Sequence, residues 1–256
     1  MLGSDMLAYL RNDVLDDVEV PYKWLDAELM RFLNYAEVQA CRRAHLLIDW
    51  TTPVDYGTSG TATSAGTAGT SGTQGERQLC VLPITADKAT YLLSPKILQV
   101  KRVQFKSMTY PINGPVSYAE LDDLMSGWWG TSGTVGTAGS GGVPTFFINE
   151  PPNTITFVQA PSVATTAYLV VSRIPLISFV ATTQPEIEEK YHEGLINWAA
   201  HLAYLKPNDK TLNLNLAAVF EKRFTQQFGP LPDAYTERMR KTLATRQRFR
   251  PREFGS

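Results

Sequence analysis

The most concentrated charged chemistry of this chain lies at its C-terminal end. Residues 237–256 hold seven bases and two acids, and six of the seven bases are arginines. Arginine forms fixed, bidentate contacts with carboxylates and phosphates. Three arginines alternate with Thr245, Gln247 and Phe249, as in an extended segment that lies along an acidic surface. The pattern predicts partner binding through Arg238, Arg240, Lys241, Arg246, Arg248, Arg250 and Arg252. The alternative is a tail whose charges serve only solubility.

Residues for catalysis or metal binding do not group anywhere in the sequence. His192 and His201 lie nine positions apart, which puts them on opposite faces of one helix, and His45 has ligand spacing to neither. No nucleophile elbow, zinc-protease motif or phosphate loop occurs. We therefore predict that the chain is not an enzyme, holds no metal and needs no cofactor.

Two further groups of reactive side chains are better explained by structural roles than by catalysis or metal binding. Glu186, Glu188 and Glu189 suit the solvated first turn of a helix, because acids are favoured near the helix N-terminus. Cys41 and Cys80 show neither zinc nor disulfide spacing. We expect Cys41 to be a small buried residue within a helix.

Two segments, 57–75 and 127–142, are rich in glycine and threonine, and glycine recurs in them at every third position with one exception. A three-residue period matches a polyproline-II-like helix with one bare edge, along which backbones can approach closely. We predict packing between these segments or between adjacent subunits through Gly66, Gly69, Gly72, Gly133, Gly136 and Gly139. The alternative is repeat expansion in a tolerant surface loop.

A tryptophan pair, Trp128–Trp129, stands at the start of the second glycine segment. Such a pair can form a stacking platform for a sugar or a base. It can equally anchor the root of a loop, and we favour the anchor because no polar recognition residues cluster nearby.

Composition narrows the remaining classes of function. The formal charge of −1 excludes a molecule that binds nucleic acid through its overall charge. The charge is nevertheless uneven, since residues 1–50 hold nine acids against five bases. No apolar run reaches the roughly 18 residues of a membrane span, and the N-terminus lacks a signal pattern, so we expect a soluble chain.

The N-terminal part reads as helical. Ser4 is placed to cap a short helix and Asp26 a longer one. Apolar residues recur at helical spacing in the longer helix, at Leu29, Leu33, Ala36, Ala40, Ala44 and Leu47. The opposite, polar face carries Arg31, Glu37, Arg42 and Arg43.

The middle of the chain changes to short strands rich in β-branched and aromatic residues. In 97–105 the apolar alternation shifts phase, which predicts a bulge near Lys101–Arg102. Residues 150–154 read as a turn between two antiparallel strands, and 117–125 as a short helix. Helices then return: one begins at Pro185 and ends before Pro207, a second spans roughly 213–228, and a third starts at Asp233.

These elements predict an α+β fold. We expect a helical bundle from 1–52 and 183–244, with an antiparallel β lobe, 53–182, inserted between them. The lobe carries the two glycine–threonine loops, and 245–256 forms an extended basic arm.

The residues at both ends of the chain carry a resemblance to a known family. The segment "LAYLRNDVLDDVEVPYKWLDAELMRFLNYAEVQACRRAHLLID" is similar to the start of tailed-bacteriophage head-to-tail adaptor, or head-completion, proteins. The residues that fall on that pattern are Asp17, Pro21, Tyr22, Trp24, Asp26, Glu28, Leu29, Leu33, Asn34, Ala36, Arg42 and Arg43. Near the C-terminus, the matching residues are Tyr191, His192, Leu195, Trp198, Ala199, Ala203 and Tyr204.

The resemblance implies a structural protein of the virion. It implies a homo-oligomeric ring, usually of twelve copies, that binds the capsid portal above and a tail nozzle or tail-tube protein below. DNA would pass through without sequence-specific contact, and assembly would occur in the host cytoplasm. The competing hypothesis is a binding module whose β lobe recognises a glycan or a host-surface ligand.

Overall fold

A computed structural model describes residues 1–50, 79–125, 142–150, 153–207 and 211–237. Both predicted glycine-packing sets, the Trp128–Trp129 pair and all seven predicted arm bases lie outside these residues. Within them, the chain combines α-helices with antiparallel sheets, which confirms the α+β class.

The helices come from both ends of the chain, with a short one between. Helix α1 spans Gly3–Tyr9 and runs into a π-helical turn at Leu10–Val14. It is followed by α2 (Asp26–Ala44), α3 (Tyr118–Leu124), α4 (His192–Tyr204, after a 3-10 turn at Glu189–Tyr191) and α5 (Leu214–Phe228).

Helices α2, α4 and α5 pack together as the main helical layer, with α4 in contact with both of the others. Small side chains at Ala36 and Ala40 of α2 and at Ala199 and Ala203 of α4 are buried in this core. Small residues allow helix axes to approach closely. The predicted union of the terminal helices is thus confirmed.

The strands form two antiparallel sheets. They are β1 (Leu47–Trp50), β2 (Val81–Ile84), β3 (Thr90–Leu92), β4 (Ile97–Phe105), β5 (Phe146–Glu150), β6 (Thr154–Val158) and β7 (Thr165–Arg173). Strand β7 is central to the first sheet: β4 pairs along one edge, and β1 and β2 share the other. The second sheet has the order β3-β6-β5. Phe105, Phe147 and Phe157 lie in the core that these strands build.

Several local predictions are confirmed. Val100 pairs with Val171 and Arg102 with Val170, so Lys101 is the extra residue of a bulge. Strands β5 and β6 form the predicted hairpin. The short helix predicted at 117–125 is α3, and the Ser117 hydroxyl caps it by accepting from the Glu120 N–H.

Two predicted helix caps are wrong. Helix α1 begins at Gly3, and its first N–H groups donate to the carbonyls of Thr183 and Ala181, so Ser4 has no capping role. Asp26 is the first residue of α2 rather than its cap. Its carboxylate instead accepts from Arg11 Nη2 at 2.5 Å.

The predicted helix start at Pro185 is also wrong, since α4 begins at His192. The N–H groups of Glu186 and Ile187 donate to the Glu37 side chain on α2, which holds this stretch outside a helix. Ile187 nevertheless packs in the helical core. Leu205 follows the last residue of α4 and is exposed.

Candidate docking site at the root of the C-terminal arm

The last turn of α2 contacts the segment that precedes the basic arm. His45 ends the helix in the left-handed region at φ 50, and its N–H donates to the Cys41 carbonyl. Ala44 is therefore the final helical residue and is exposed, contrary to its predicted place on the apolar face. Arg42 and Arg43 lie in this turn and contact different parts of the chain.

Arg43 is buried, although the sequence placed it on the polar face. Its Nη1 donates to Thr225 Oγ1 and to the Gly229 carbonyl, both at 3.1 Å. The guanidinium also lies over the Trp198 and Phe224 rings. Burial lowers the pKa of Arg43. These contacts fix the C-terminal end of α5 against α2.

Arg42 contacts the segment that follows α5. Its Nε and Nη2 donate to Glu237 Oε1 at 3.1 and 2.6 Å. Glu237 is the last described residue and is held in a helical turn that Asp233 caps, because Asp233 Oδ1 accepts from the Thr236 N–H. This hydrogen bond lowers the pKa of Asp233. The predicted helix start at Asp233 is confirmed as far as residue 237.

A small open cleft of about 100 Å³ adjoins this ion pair. Arg42 and His45 line it from α2, and Glu237 from the arm root. Its remaining wall comes from the strand layer, at Pro95, Ile97, Leu98 and Asn153. The cleft thus combines the Arg42–Glu237 ion pair with a partly apolar wall where the helical layer meets the strands.

A buried charge cluster joins the same two layers deeper inside. Arg173, at the end of β7, is 1% exposed and donates to Asp49 on β1 and to Glu186. Burial opposes its charge, but these carboxylates outweigh the effect and raise its pKa. The other Glu186 oxygen accepts from the N–H groups of Leu176 and Ile177. The Glu186 side chain therefore links β7 to the segment at 176–177 inside the fold. The prediction that it lies in a solvated first turn of a helix is wrong for this residue.

Glu37 completes this cluster from α2. It is 1% exposed, contrary to its predicted place on the polar face, and its Oε1 accepts from the N–H groups of Glu186 and Ile187. Burial raises the pKa of Glu37 to about 7, against the lowering effect of these two hydrogen bonds. We define Glu37, Asp49, Arg173 and Glu186 as the interlayer cluster.

A second buried network orders the turn between the first two helices. Arg11 Nη1 donates to Asp17 Oδ2 at 2.8 Å, and its Nη2 donates to the Trp24 carbonyl. Asp17 also accepts from the N–H groups of Lys23 and Trp24. The Arg11 guanidinium lies 4.0 Å from the centre of the Tyr22 ring. The Trp24 indole N–H donates to the Ala203 carbonyl and ties the turn to α4.

The described residues offer no arrangement for metal chemistry, because no three His, Cys, Asp or Glu side chains among them could hold an ion. His192 Nε2 lies against the Ile187 carbonyl and His201 Nδ1 against the Ala217 carbonyl, so each ring has its own backbone partner. Cys41 and Cys80 are both buried free thiols. Among the described helices, none is long and apolar enough to cross a membrane.

Comparison with protein families gives a match along almost the whole chain. The model of the SU10 adaptor protein family matches residues 1–250. The chain belongs to this family. SU10 adaptors are bacteriophage head-to-tail adaptors, so the resemblance drawn from the two ends of the sequence is confirmed. A comparison with curated proteins gives no match.

Membership of this family indicates the general role of the chain. It supports a structural connector role at the head–tail interface of the virion and association with portal and tail. It also favours a structural protein over an enzyme.

Sequence reasoning did not find the anchoring roles of Arg42 and Arg43, although both were noted as part of the family pattern. Their position in the last helical turn was the available signal, because cations there face the negative end of the helix dipole. Neither the partner of Arg42 at 237 nor the aromatic rings under Arg43 could be deduced from that position.

Proposed function

We propose that the chain forms a ring, of about twelve copies by analogy with related adaptors, that joins the capsid portal to the tail and surrounds the DNA exit channel. The basic arm binds the portal through Arg238, Arg240, Lys241, Arg246, Arg248, Arg250 and Arg252. A tail nozzle or tail-tube protein binds the opposite side of the ring. The particle assembles in the host cytoplasm.

The observation that carries this proposal is the anchored root of the arm. Arg43 holds the end of α5 and Arg42 holds Glu237, so the last residue before the basic segment has a defined place in each subunit. A ring would present all arms to the portal together. Several weak contacts then act as one strong attachment, because each bound arm raises the effective concentration of the next.

Passage of DNA adds a second requirement. A channel that releases DNA must offer few cations to the phosphates, because cationic contacts dominate non-specific DNA binding. The formal charge of −1 and the gathering of bases in the arm are compatible with such a channel.

The experiment is a co-sedimentation assay of the full chain with its portal protein. Arg246→Ser/Arg248→Ser/Arg250→Ser should abolish co-sedimentation. The matched control removes three exposed bases from β4 and its following turn, with Lys101→Ser/Arg102→Ser/Lys106→Ser, and should co-sediment like the unmodified chain. Equal binding by both variants, or by a chain lacking 245–256, would refute the role of the arm.

The alternative of a glycan-binding module gains no specific support, since Trp128 and Trp129 lie outside the described residues. The same preparations test this alternative. The glycan-binding module would be favoured if the unmodified chain binds a glycan but not the portal, and if Trp128→Ala/Trp129→Ala abolishes the glycan binding.

A further inference from the structure

The turn between α1 and α2 exposes an unusual set of apolar side chains. Val18, Val20, Tyr22 and Leu25 are 56%, 80%, 46% and 70% exposed. Three exposed acids share the same short stretch, namely Asp13, Asp16 and Glu19. We call residues 13–25 the acidic turn. An exposed apolar group rimmed by charge is typical of an interaction surface.

The acidic turn is held in shape before any partner binds. Its two ends are tied together by Arg11, which contacts Asp17, Trp24 and Asp26. Trp24 is buried and fixed to α4 through the Ala203 carbonyl. A surface that is already ordered loses little conformational entropy on binding, which favours affinity. The buried Arg11 network therefore presents Val18 and Val20 outward at a fixed place.

The cleft at the arm root has the complementary chemistry. Arg42, paired with Glu237, supplies a partly exposed cation, and Pro95 and Leu98 supply a small apolar wall. Among the described residues, Arg42 donates from Nε and Nη2 to a single oxygen of Glu237. A guanidinium carries five N–H donors, so Arg42 can accommodate a second carboxylate beside Glu237.

The two surfaces lie at opposite ends of one helix. The acidic turn leads directly into the N-terminus of α2, and Arg42 and His45 stand at its C-terminus. The 19 residues of α2 separate them by about 28 Å at 1.5 Å per residue. A chain with complementary surfaces at opposite ends associates head to tail, and head-to-tail contacts close into rings when the rotation between neighbours allows it.

We propose that a second copy of this chain occupies the cleft: the acidic turn of one subunit binds at the arm root of the next. Val18 and Val20 pack on the apolar wall of the neighbour, and Asp16 and Glu19 face its Arg42. This inference rests on the ring of the proposed function, and it names the surfaces through which adjacent subunits meet.

Cysteine cross-linking of the full chain tests this contact. Val20→Cys and Pro95→Cys are made as separate variants, mixed in equal amounts and treated with a short bis-maleimide, both free and on portal. The native thiols are buried and give little background. Bound neighbours hold the two thiols at an effective concentration of about 1 mM, so at micromolar protein the mixture should cross-link at least about tenfold faster than non-neighbours.

Matched controls separate this contact from chance collision. Val163→Cys introduces a thiol at another exposed apolar site and should cross-link slowly with Pro95→Cys. The mixture of two single variants should stop at a dimer, whereas a chain carrying both cysteines should give a ladder of higher species. A contact between two like surfaces would instead cross-link Val20→Cys with itself.

Charge reversal tests the pairing itself. Adding Asp16→Arg/Glu19→Arg to the Val20→Cys chain should suppress cross-linking, and adding Arg42→Glu to the Pro95→Cys chain should restore it. Asp123→Arg, a reversal at an exposed acid of α3, should have no effect.

The inference falls if the Val20→Cys and Pro95→Cys mixture cross-links no faster than the Val163→Cys control both free and on portal, or if the reversed pair fails to recover. Portal co-sedimentation in the same preparations is a separate readout. Binding to portal without these cross-links would overturn the inference and leave the proposed function standing. Cross-links without portal binding would support this inference and overturn the proposed function.

Discussion

Glu37 offers the sharpest test of how the helical layer and the sheet are joined. The proposed change is Glu37→Gln, which removes the charge but keeps a side-chain oxygen that can accept from the N–H groups of Glu186 and Ile187. The carboxyl is buried, and burial raises its pKa from 4.5 to about 7 in the folded chain. Its charged form is therefore disfavoured by folding.

The sign and size of the effect follow from this shift. Between pH 4.5 and 7 the unfolded chain releases the Glu37 proton and the folded chain keeps it, so stability falls as pH rises through this window. One pKa unit corresponds to about 1.4 kcal/mol, so the folded chain should lose about 3 kcal/mol between these limits, as an order of magnitude. The Gln side chain has no proton to release in this range, so the variant does not lose this stability as pH rises.

The assay is urea unfolding of both chains from pH 4 to 8.5, with the difference in unfolding free energy plotted against pH. Burial lowers the pKa of His192, which acts in the opposite direction, but this effect is common to both chains and cancels in the difference. The variant should match the parent near pH 4 and exceed it above pH 7. Glu19→Gln, which changes an exposed carboxylate far from the interlayer cluster, should follow the parent.

A flat difference curve would refute this account of Glu37. So would a curve of opposite slope, which would mean that the charged carboxylate is stabilised by its hydrogen bonds more than burial disfavours it.

Three further outcomes are expected from the described contacts. Arg43→Met should lower the unfolding free energy by about 2–3 kcal/mol, since it removes a buried guanidinium with its two hydrogen bonds and its contacts with the Trp198 and Phe224 rings. Arg42→Met breaks a partly exposed ion pair and should cost at most about 1 kcal/mol in the same urea titration. Arg11→Met leaves the buried Asp17 carboxylate without its cation and should cost about 3 kcal/mol by thermal or urea unfolding, and a loss below about 1 kcal/mol would contradict the role given to this pair. Burial raises the pKa of the Cys41 thiol, so a thiol-specific reagent should label it only after unfolding, and rapid labelling of the folded chain would contradict its position.

Patterns with short-range causes could be predicted from the sequence. The bulge at Lys101 follows from a phase shift in apolar alternation within one strand. The Ser117 cap and the turn capped by Asp233 depend on residues three positions apart. The buried face of α2 from Leu29 to Ala40 likewise follows from helical spacing alone.

The errors arise where a distant part of the chain decides the environment. Glu37 and Arg43 lie off the apolar face of α2, and periodicity therefore placed them in solvent. The segment at Glu186 covers one and the end of α5 covers the other, from 149 and about 180 residues away. No spacing within α2 signals either partner.

The misplaced start of α4 has the same origin. Pro185 and the following acids fit a helix N-terminus locally. The Glu186 carboxylate, however, accepts from Arg173 and from two backbone N–H groups near 176, while its own N–H is committed to Glu37. Tertiary hydrogen bonds thus outweigh a modest local preference, and the helix starts seven residues later, at His192.

The division between buried and exposed charge also explains why the overall charge says little about function. Arg11, Arg173 and Glu37 have buried partners within the chain, so these groups cannot contact another protein without breaking the fold. The exposed charges are the ones left for binding, and those of the turn before α2 are mainly acidic, whereas the sequence gathers seven bases in 238–252. Their opposite signs nearly cancel in the sum. The acidic turn and Arg42 stand at opposite ends of α2, and they do not neutralise one another within one subunit, because solution ions screen charges beyond about 10 Å at 0.1 M salt. The acidic turn therefore remains available to a partner of opposite charge, which in the proposed ring is the arm root of the neighbouring copy.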